Sequence, residues 1–307
     1  MELLKSFFIL MLIALYAYAK ENIENIVPCT ISEYVSIKLD TVESESSLKV
    51  DPLMYLGPLA IDIDDSGDIY ILNADNNSID KFDKKAKRCW SIGLSEQIMD
   101  IHVWGNDFFA FNGRSIFIYS TMEGKLIDSI NIGLKKEDIT PVGNVSKFYN
   151  GYLLINKESI GKTDQLCIFD LVHRKVSPKV PDGIAIYPIF NCPACSLTFV
   201  KSLFMNQGFI FLDQSDKFIA FIRTSRKIGT NQKTGIYPKI YLFNKSNGVR
   251  QVIAKIPFFG SLSFMSIRFC KFITSNEIVC CTIEQKNYDP KRLIFFKISI
   301  NADRSVK

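Results

Sequence analysis

Histidine is nearly absent from this chain: His102 and His173 are the only two among 307 residues. A catalytic metal centre built on three imidazoles is thereby excluded. No Gly-x-Ser-x-Gly elbow occurs, which removes the usual turn for a serine-hydrolase nucleophile. Dense charge of one sign is missing too. With 37 Lys and Arg against 32 Asp and Glu, the net charge is only +5. The basic clusters Lys84-Lys85-Lys87-Arg88 and Arg223 to Lys233 read as solvated turns, so nucleic acid is not implied. Downstream of residue 20 there is no apolar run of the roughly 18 residues that a membrane-spanning helix needs. Apolar residues at helical period are almost lacking.

The one long apolar run lies at the start. Lys5 precedes an unbroken run from Phe7 to Ala19, which closes on the small-residue pattern Ala17-Tyr18-Ala19 before the polar Lys20-Glu21-Asn22. This is the pattern of a secretory signal peptide cleaved after Ala19, leaving residues 20–307 as one domain. No cysteine stands at the cut to take a lipid. The expected location is therefore outside the cytoplasm, secreted or periplasmic.

All eight cysteines fall after that cut, at positions 29, 89, 167, 192, 195, 270, 280 and 281, in a compartment that allows disulfides. Cys192-Pro193-Ala194-Cys195 has redox-motif spacing, and a redox protein acting through this pair is one function class. Its flanks, however, read as a loop followed by a strand and not as the strand and helix of a thioredoxin site. A structural bridge or loop staple is the preferred reading. Zinc held by Cys192, Cys195 and the Cys280-Cys281 pair is a further option, without the second CxxC knuckle such sites use. Hairpin arithmetic around Thr274-Ser275-Asn276 predicts a cross-strand bridge from Cys270: a two-residue loop sets it opposite Cys281, a three-residue loop opposite Cys280.

The stretch Asp62-Ile63-Asp64-Asp65-Ser66-Gly67 has calcium-loop spacing over its first half. The twelfth position, where a bidentate Glu is required, is Asn73, and the flanks Leu59 to Ile61 and Ile69 to Leu72 are strand-like. A hairpin turn follows. The chain then repeats itself. Gly93 and Gly133 close two units of the same design about 40 residues apart, the length of a propeller blade. An aromatic-bearing third strand recurs at Ile79 to Asp83, Ile116 to Ser120, Leu166 to Asp170, Ile240 to Asn244 and Leu293 to Lys297. Four short strands per unit, polar turns and no helical period predict an all-β fold: a β-propeller, six-bladed, with four antiparallel strands per blade. The interval from Phe169 to Phe243 is too wide for one blade. Its own hairpin, Gly208 to Leu212 and Lys217 to Ile222, marks either a degenerate sixth blade or a long insertion. The strand-like Glu33 to Leu39 is expected to close the ring by joining the last blade.

The first unit resembles an NHL repeat through Pro58-x-Ala60-Ile61-Asp62, Gly67-x-Ile69-Tyr70-Ile71, Asn73-x-Asp75-Asn76 and Ile79-x-Lys81-Phe82. The whole chain is similar to the secreted, NHL-like six-bladed propellers of bacteria. The later units share only the architecture, so the resemblance implies a fold more than an activity. Propeller lactonases of this kind hold a calcium-type site of Glu, Asn and Asp on inner strands at the central channel. The matching oxygens here are Asp62, Asp100 and Asn144. His102 is expected to be a satisfied residue of an inner strand, and His173 an exposed turn residue. Asn76, Asn144 and Asn244 head glycosylation sequons, which matter only in a eukaryotic source. Taken together, the residues point to a secreted, non-enzymatic propeller without a required cofactor. It would bind a protein, peptide or glycan through loops on one face. The alternative is a metal-dependent hydrolase or lactonase with calcium in the channel.

Overall fold

Short runs of β-branched and aromatic residues bounded by polar turns become strands, and none of the described residues is helical. The structure, a computed structural model, describes residues 25–27, 29–41, 44–51, 58–132, 146–149, 151–157, 165–177, 209–223, 240–244, 250–253, 270–286 and 289–301. Three strands come before the first full unit: β1 (Asn25–Val27), β2 (Cys29–Asp40) and β3 (Ser47–Lys49). Blade 1 is β4 (Ala60–Ile63), β5 (Ile69–Asn73), β6 (Ser78–Phe82) and β7 (Arg88–Gly93). Blade 2 is β8 (Asp100–Trp104), β9 (Asp107–Phe111), β10 (Ser115–Ser120) and β11 (Leu126–Asn131). Blade 3 is β12 (Ser146–Tyr149), β13 (Tyr152–Lys157), β14 (Gln165–Asp170) and β15 (Lys175–Ser177).

The hairpin read as a unit of its own is part of a larger sheet. β16 (Phe209–Gln214) and β17 (Phe218–Arg223) continue into β18 (Ile240–Asn244) and β19 (Arg250–Ile253), with Phe221 opposite Tyr241. They are the first two strands of the Ile240 unit, so this hairpin forms no separate blade. The physical reason is pairing: the apolar edge of β17 is taken up by β18, however long the chain between them. The last blade is β20 (Cys270–Thr274), β21 (Glu277–Lys286) and β22 (Asp289–Ile300), followed in the sheet by β2 and β3. β2 pairs antiparallel with β22 from Cys29 opposite Ile300 to Lys38 opposite Arg292, and so closes the last blade as the sequence led us to expect. β1 instead adds parallel to β19. The N-terminal segment thereby stitches two neighbouring sheets together and covers both outer edges, which unpaired strands would otherwise expose.

Five sheets are present among the described residues, and their innermost strands lie side by side in the order β16, β20, β4, β8, β12. This is the radial arrangement of a β-propeller. The core lies between the blades. Blade 1 turns Tyr70 and Ile79 towards Ile101 and Phe108 of blade 2, where Tyr70 and Phe108 stack at 5.2 Å with Trp90 edge-on to both. Successive residues of β9 serve opposite neighbours: Phe108 packs against blade 1, and Phe109 packs with Leu153 and Phe169 of blade 3. The period of two along each strand thus builds two interfaces at once.

The Asp62 stretch is a hairpin turn. Asp64 Oδ1 accepts from the amides of Ser66 and Asp68, and Gly67 sits at φ +87°. A Cβ at Gly67 would lie 2.5 Å from the Tyr34 hydroxyl, which itself donates to the Gly67 carbonyl. Only glycine fits there.

Candidate functional site

Asp62 is the centre of a polar chain that runs along the inner strands. Its side chain is fully buried on β4, third in Ala60-Ile61-Asp62-Ile63. Oδ1 accepts from the Ile63 amide at 2.8 Å and from Lys271 Nζ on β20 at 2.6 Å. Oδ2 accepts from the Val103 amide at 2.9 Å and meets His102 Nδ1 at 2.7 Å, both on β8. One carboxylate therefore joins three blades. A carboxylate has about four acceptor positions, and the protein's own groups use four. With Nδ1–H directed at Asp62, a neutral His102 carries its lone pair on Nε2, within a buried ring that stacks 6.1 Å from Trp104.

The same device recurs one step earlier in the ring. Asp213 of β16 accepts from the Phe272 amide of β20 at 2.7 Å, the residue next to Lys271. At these two junctions the inner edge of one sheet presents a backbone amide, and an aspartate from the neighbouring blade takes it up. Asp100 of β8 is equally buried and accepts from the Ile101 amide at 2.9 Å, repeating the local geometry of Asp62 with Ile63.

Of the three expected channel oxygens, then, Asp62 and Asp100 lie buried on inner strands, while Asn144 lies outside the described residues, as do Cys192 and Cys195. His102 is buried and hydrogen-bonded, and His173 is an exposed turn residue whose ring meets Asp170 at 2.7 Å. Lys271 and Asp213 escaped the sequence reading. Their signal was position: each is a charged residue inside a mostly apolar first strand of its unit.

Cys270 is opposite Cys280, not Cys281. The turn is the two-residue one, with Thr274 facing Glu277, but a bulge between Phe272 and Thr274 shifts the register by one. Cys270 and Cys280 face the Leu212 and Leu242 side of the sheet with their sulfurs 2.6 Å apart. Cys281 faces the opposite core, with Ile61 and Phe82. Zinc shared by the vicinal pair is disfavoured on this geometry, because the two thiols point into different cores. Among the described residues, no three His, Cys, Asp or Glu side chains cluster so as to hold a metal ion.

A second feature lies at one end of the ring. In an antiparallel blade, the turns after the first and third strands fall at the same end. Trp104 closes β8 at the first turn of blade 2; Met122 is in its third turn; Leu126 and Ile127 open β11; Val172 is in the third turn of blade 3. These five are all the large apolar side chains that stand exposed among the described residues, Met122 at 85%. Trp104 lies over Gly151 of blade 3, where φ is +76° and a Cβ would come within 2.8 Å of the indole. Arg174 pairs with Asp128 of β11 at 2.8 Å, tying the two blades beside Val172 and Ile127.

Beneath this end is a buried hub between blades 1 and 2. The Thr121 carbonyl accepts from Lys81 Nζ at 3.2 Å and from the Trp90 indole at 3.1 Å. Lys81 also pairs with Asp68 at 3.0 Å and Asp64 at 3.8 Å, and it lies 5.2 Å from the Tyr70 ring centroid. Burial and the Asp64 carboxylate push the Tyr70 phenol well above its ordinary value, so its hydroxyl remains a donor to Asp64. The first turn of blade 1 and the third turn of blade 2 are thereby tied together.

No family model matches the chain, and no curated protein does. Solved structures similar to it include a member of the DUF4221 family from Bacteroides vulgatus, at 11% identity and a TM-score of 0.49, covering 90% of this chain and 99% of that one. The calcium-binding protein regucalcin from Agrobacterium tumefaciens is similar at 11% identity and a TM-score of 0.47, over 82% of this chain and 94% of that one. BamB from Moraxella catarrhalis is similar at 11% and 0.37, over 87% and 99%.

Proposed function

We propose that this chain is a secreted, non-enzymatic propeller of the NHL-like, six-bladed type, which binds a protein or peptide through the apolar end of blades 2 and 3. The gathering of Trp104, Met122, Leu126, Ile127 and Val172 at one end of two adjacent blades carries the reading. Exposed apolar side chains scattered singly are ordinary, but a set of them on one rigid rim is a docking surface. Apart from Trp104, the set is made of aliphatic and thioether side chains, which offer a glycan neither hydrogen bonds nor a stacking face, and this favours a polypeptide partner. Against the hydrolase alternative stands the central carboxylate: Asp62 is committed to Lys271, His102 and two backbone amides, whereas calcium needs six to eight oxygens with free lone pairs. Export rests on the apolar run from Phe7 to Ala19.

The experiment is chemical crosslinking of the full chain in its native culture, comparing the natural sequence with the triple variant Met122→Ser, Ile127→Ser, Val172→Ser. All three positions are solvent-facing, so the variant should keep its unfolding midpoint. Loss of the crosslinked partner at unchanged stability is the expected result. Equal capture by both proteins would contradict the assignment of this end.

A further inference from the structure

We infer that Cys270 and Cys280 are oxidised to a disulfide across the inner hairpin of the closing blade, leaving Cys281 as a thiol. Three observations lead there. The two residues are direct partners in the β20–β21 ladder, and their sulfurs already touch at 2.6 Å. Both are buried on the same face, at 0% and 1% exposure, among Leu212, Leu242, Phe272 and Ile298. Cys281 faces away into the core shared with blade 1, so it cannot compete for Cys270. Successive strand residues point to opposite faces, and the bulge at Ile273 decides which of the vicinal cysteines is served.

The position gives the bond a consequence. β20 is where the closing blade meets both neighbours: Phe272 is held by Asp213 of β16, and Lys271, next to Cys270, holds Asp62 of β4. A covalent tie from Cys270 to β21 fixes the strand that carries both clamps. The step is a thiol–disulfide exchange. A low-molecular-weight or protein disulfide accepts the two electrons and two protons, becoming two thiols, while the Cys270 and Cys280 sulfurs join. Burial and the neighbouring Cys280 raise the Cys270 thiol well above its ordinary value, which leaves little thiolate in the folded chain and places the exchange during folding, before this core closes.

The oxidation in the host rests on export, so the experiment has two arms. In the first, the full chain is recovered from its host without reductant and with an alkylating agent present. Trypsin then releases residues 269–271 with Cys270, and 272–286 with Cys280 and Cys281. The expected product is one linked species, lighter by two hydrogens than the two peptides combined, with the single alkyl group on Cys281. In the second arm, the reduced chain is refolded with oxidised glutathione and mapped in the same way. Linkage in the second arm but not the first supports the pair and counts against export. Alkylation of all three cysteines in both arms, or a link that fragmentation places on Cys281, overturns the inference. Cys281→Ser must keep the link and Cys280→Ser must abolish it. Reduction should lower the melting temperature of the oxidised protein by roughly 5 °C more than it lowers that of Cys280→Ser.

Discussion

Asp62 shows how much one side chain can hold. Buried at 0% exposure, it sits between a lysine from one neighbouring blade and a histidine and an amide from the other. Removing the carboxylate leaves the buried Val103 amide and the largely buried Lys271 ammonium without their acceptor, and breaking a buried pair from one side costs about 3–5 kcal/mol. We therefore expect Asp62→Ala to lower the unfolding free energy by about that amount in urea titration, with Asp62→Asn losing less because the amide oxygen still accepts. A change below about 1 kcal/mol for the alanine variant would mean that the clamp is not structural. The acid itself was legible in the sequence as a residue near its blade's first strand, and His102 as a satisfied residue of an inner strand, but not that the two meet. Lys271 was not. A lysine in an apolar strand reads as solvent-facing until the ring sets it beside a carboxylate more than two hundred positions away in the chain.

At the scale of elements, closure depends on β2. Ile37 is fully buried there, in the core formed with Ile61, Phe82 and Phe295, and it pairs with Leu293 of β22. Replacing it by Asp puts an unpaired carboxylate where no donor waits, so Ile37→Asp should leave the chain unfolded or aggregated. Ile37→Ala should fold with a loss of about 2–5 kcal/mol, measured by denaturant unfolding. Wild-type stability in the Asp variant would show that β2 does not close the ring. That Glu33 to Leu39 would join the last blade was readable from its alternation and its place ahead of the first unit. The register of Cys270 was not readable. Of the two turns left open the two-residue one is present, but a bulge adds one unpaired residue without changing composition or period, and nothing in Phe272-Ile273-Thr274 announces it.

Over the whole molecule, repetition made the architecture legible. Among the described residues, blades 1 and 2 and the last blade each bury one face against the unit before and one against the unit after, and this demand writes the same strand pattern again and again. The same repetition misled at the interval after Phe169, where the pairing of β17 with β18 across residues 224–239 made one sheet of what looked like two pieces. The exposed apolar end was less legible, because Trp104, Met122, Ile127 and Val172 come from three turns of two blades and share one end of the ring only once the strands have paired. If the inner-strand acids cement the blades and the ring is the binding scaffold proposed above, its centre offers calcium no site. Calorimetric titration of the chelator-treated full chain with calcium tests it most directly. We expect no saturable heat up to millimolar calcium. A stoichiometric site that Asp62→Asn removes while the protein stays folded would contradict the account and place metal chemistry at the centre of the ring.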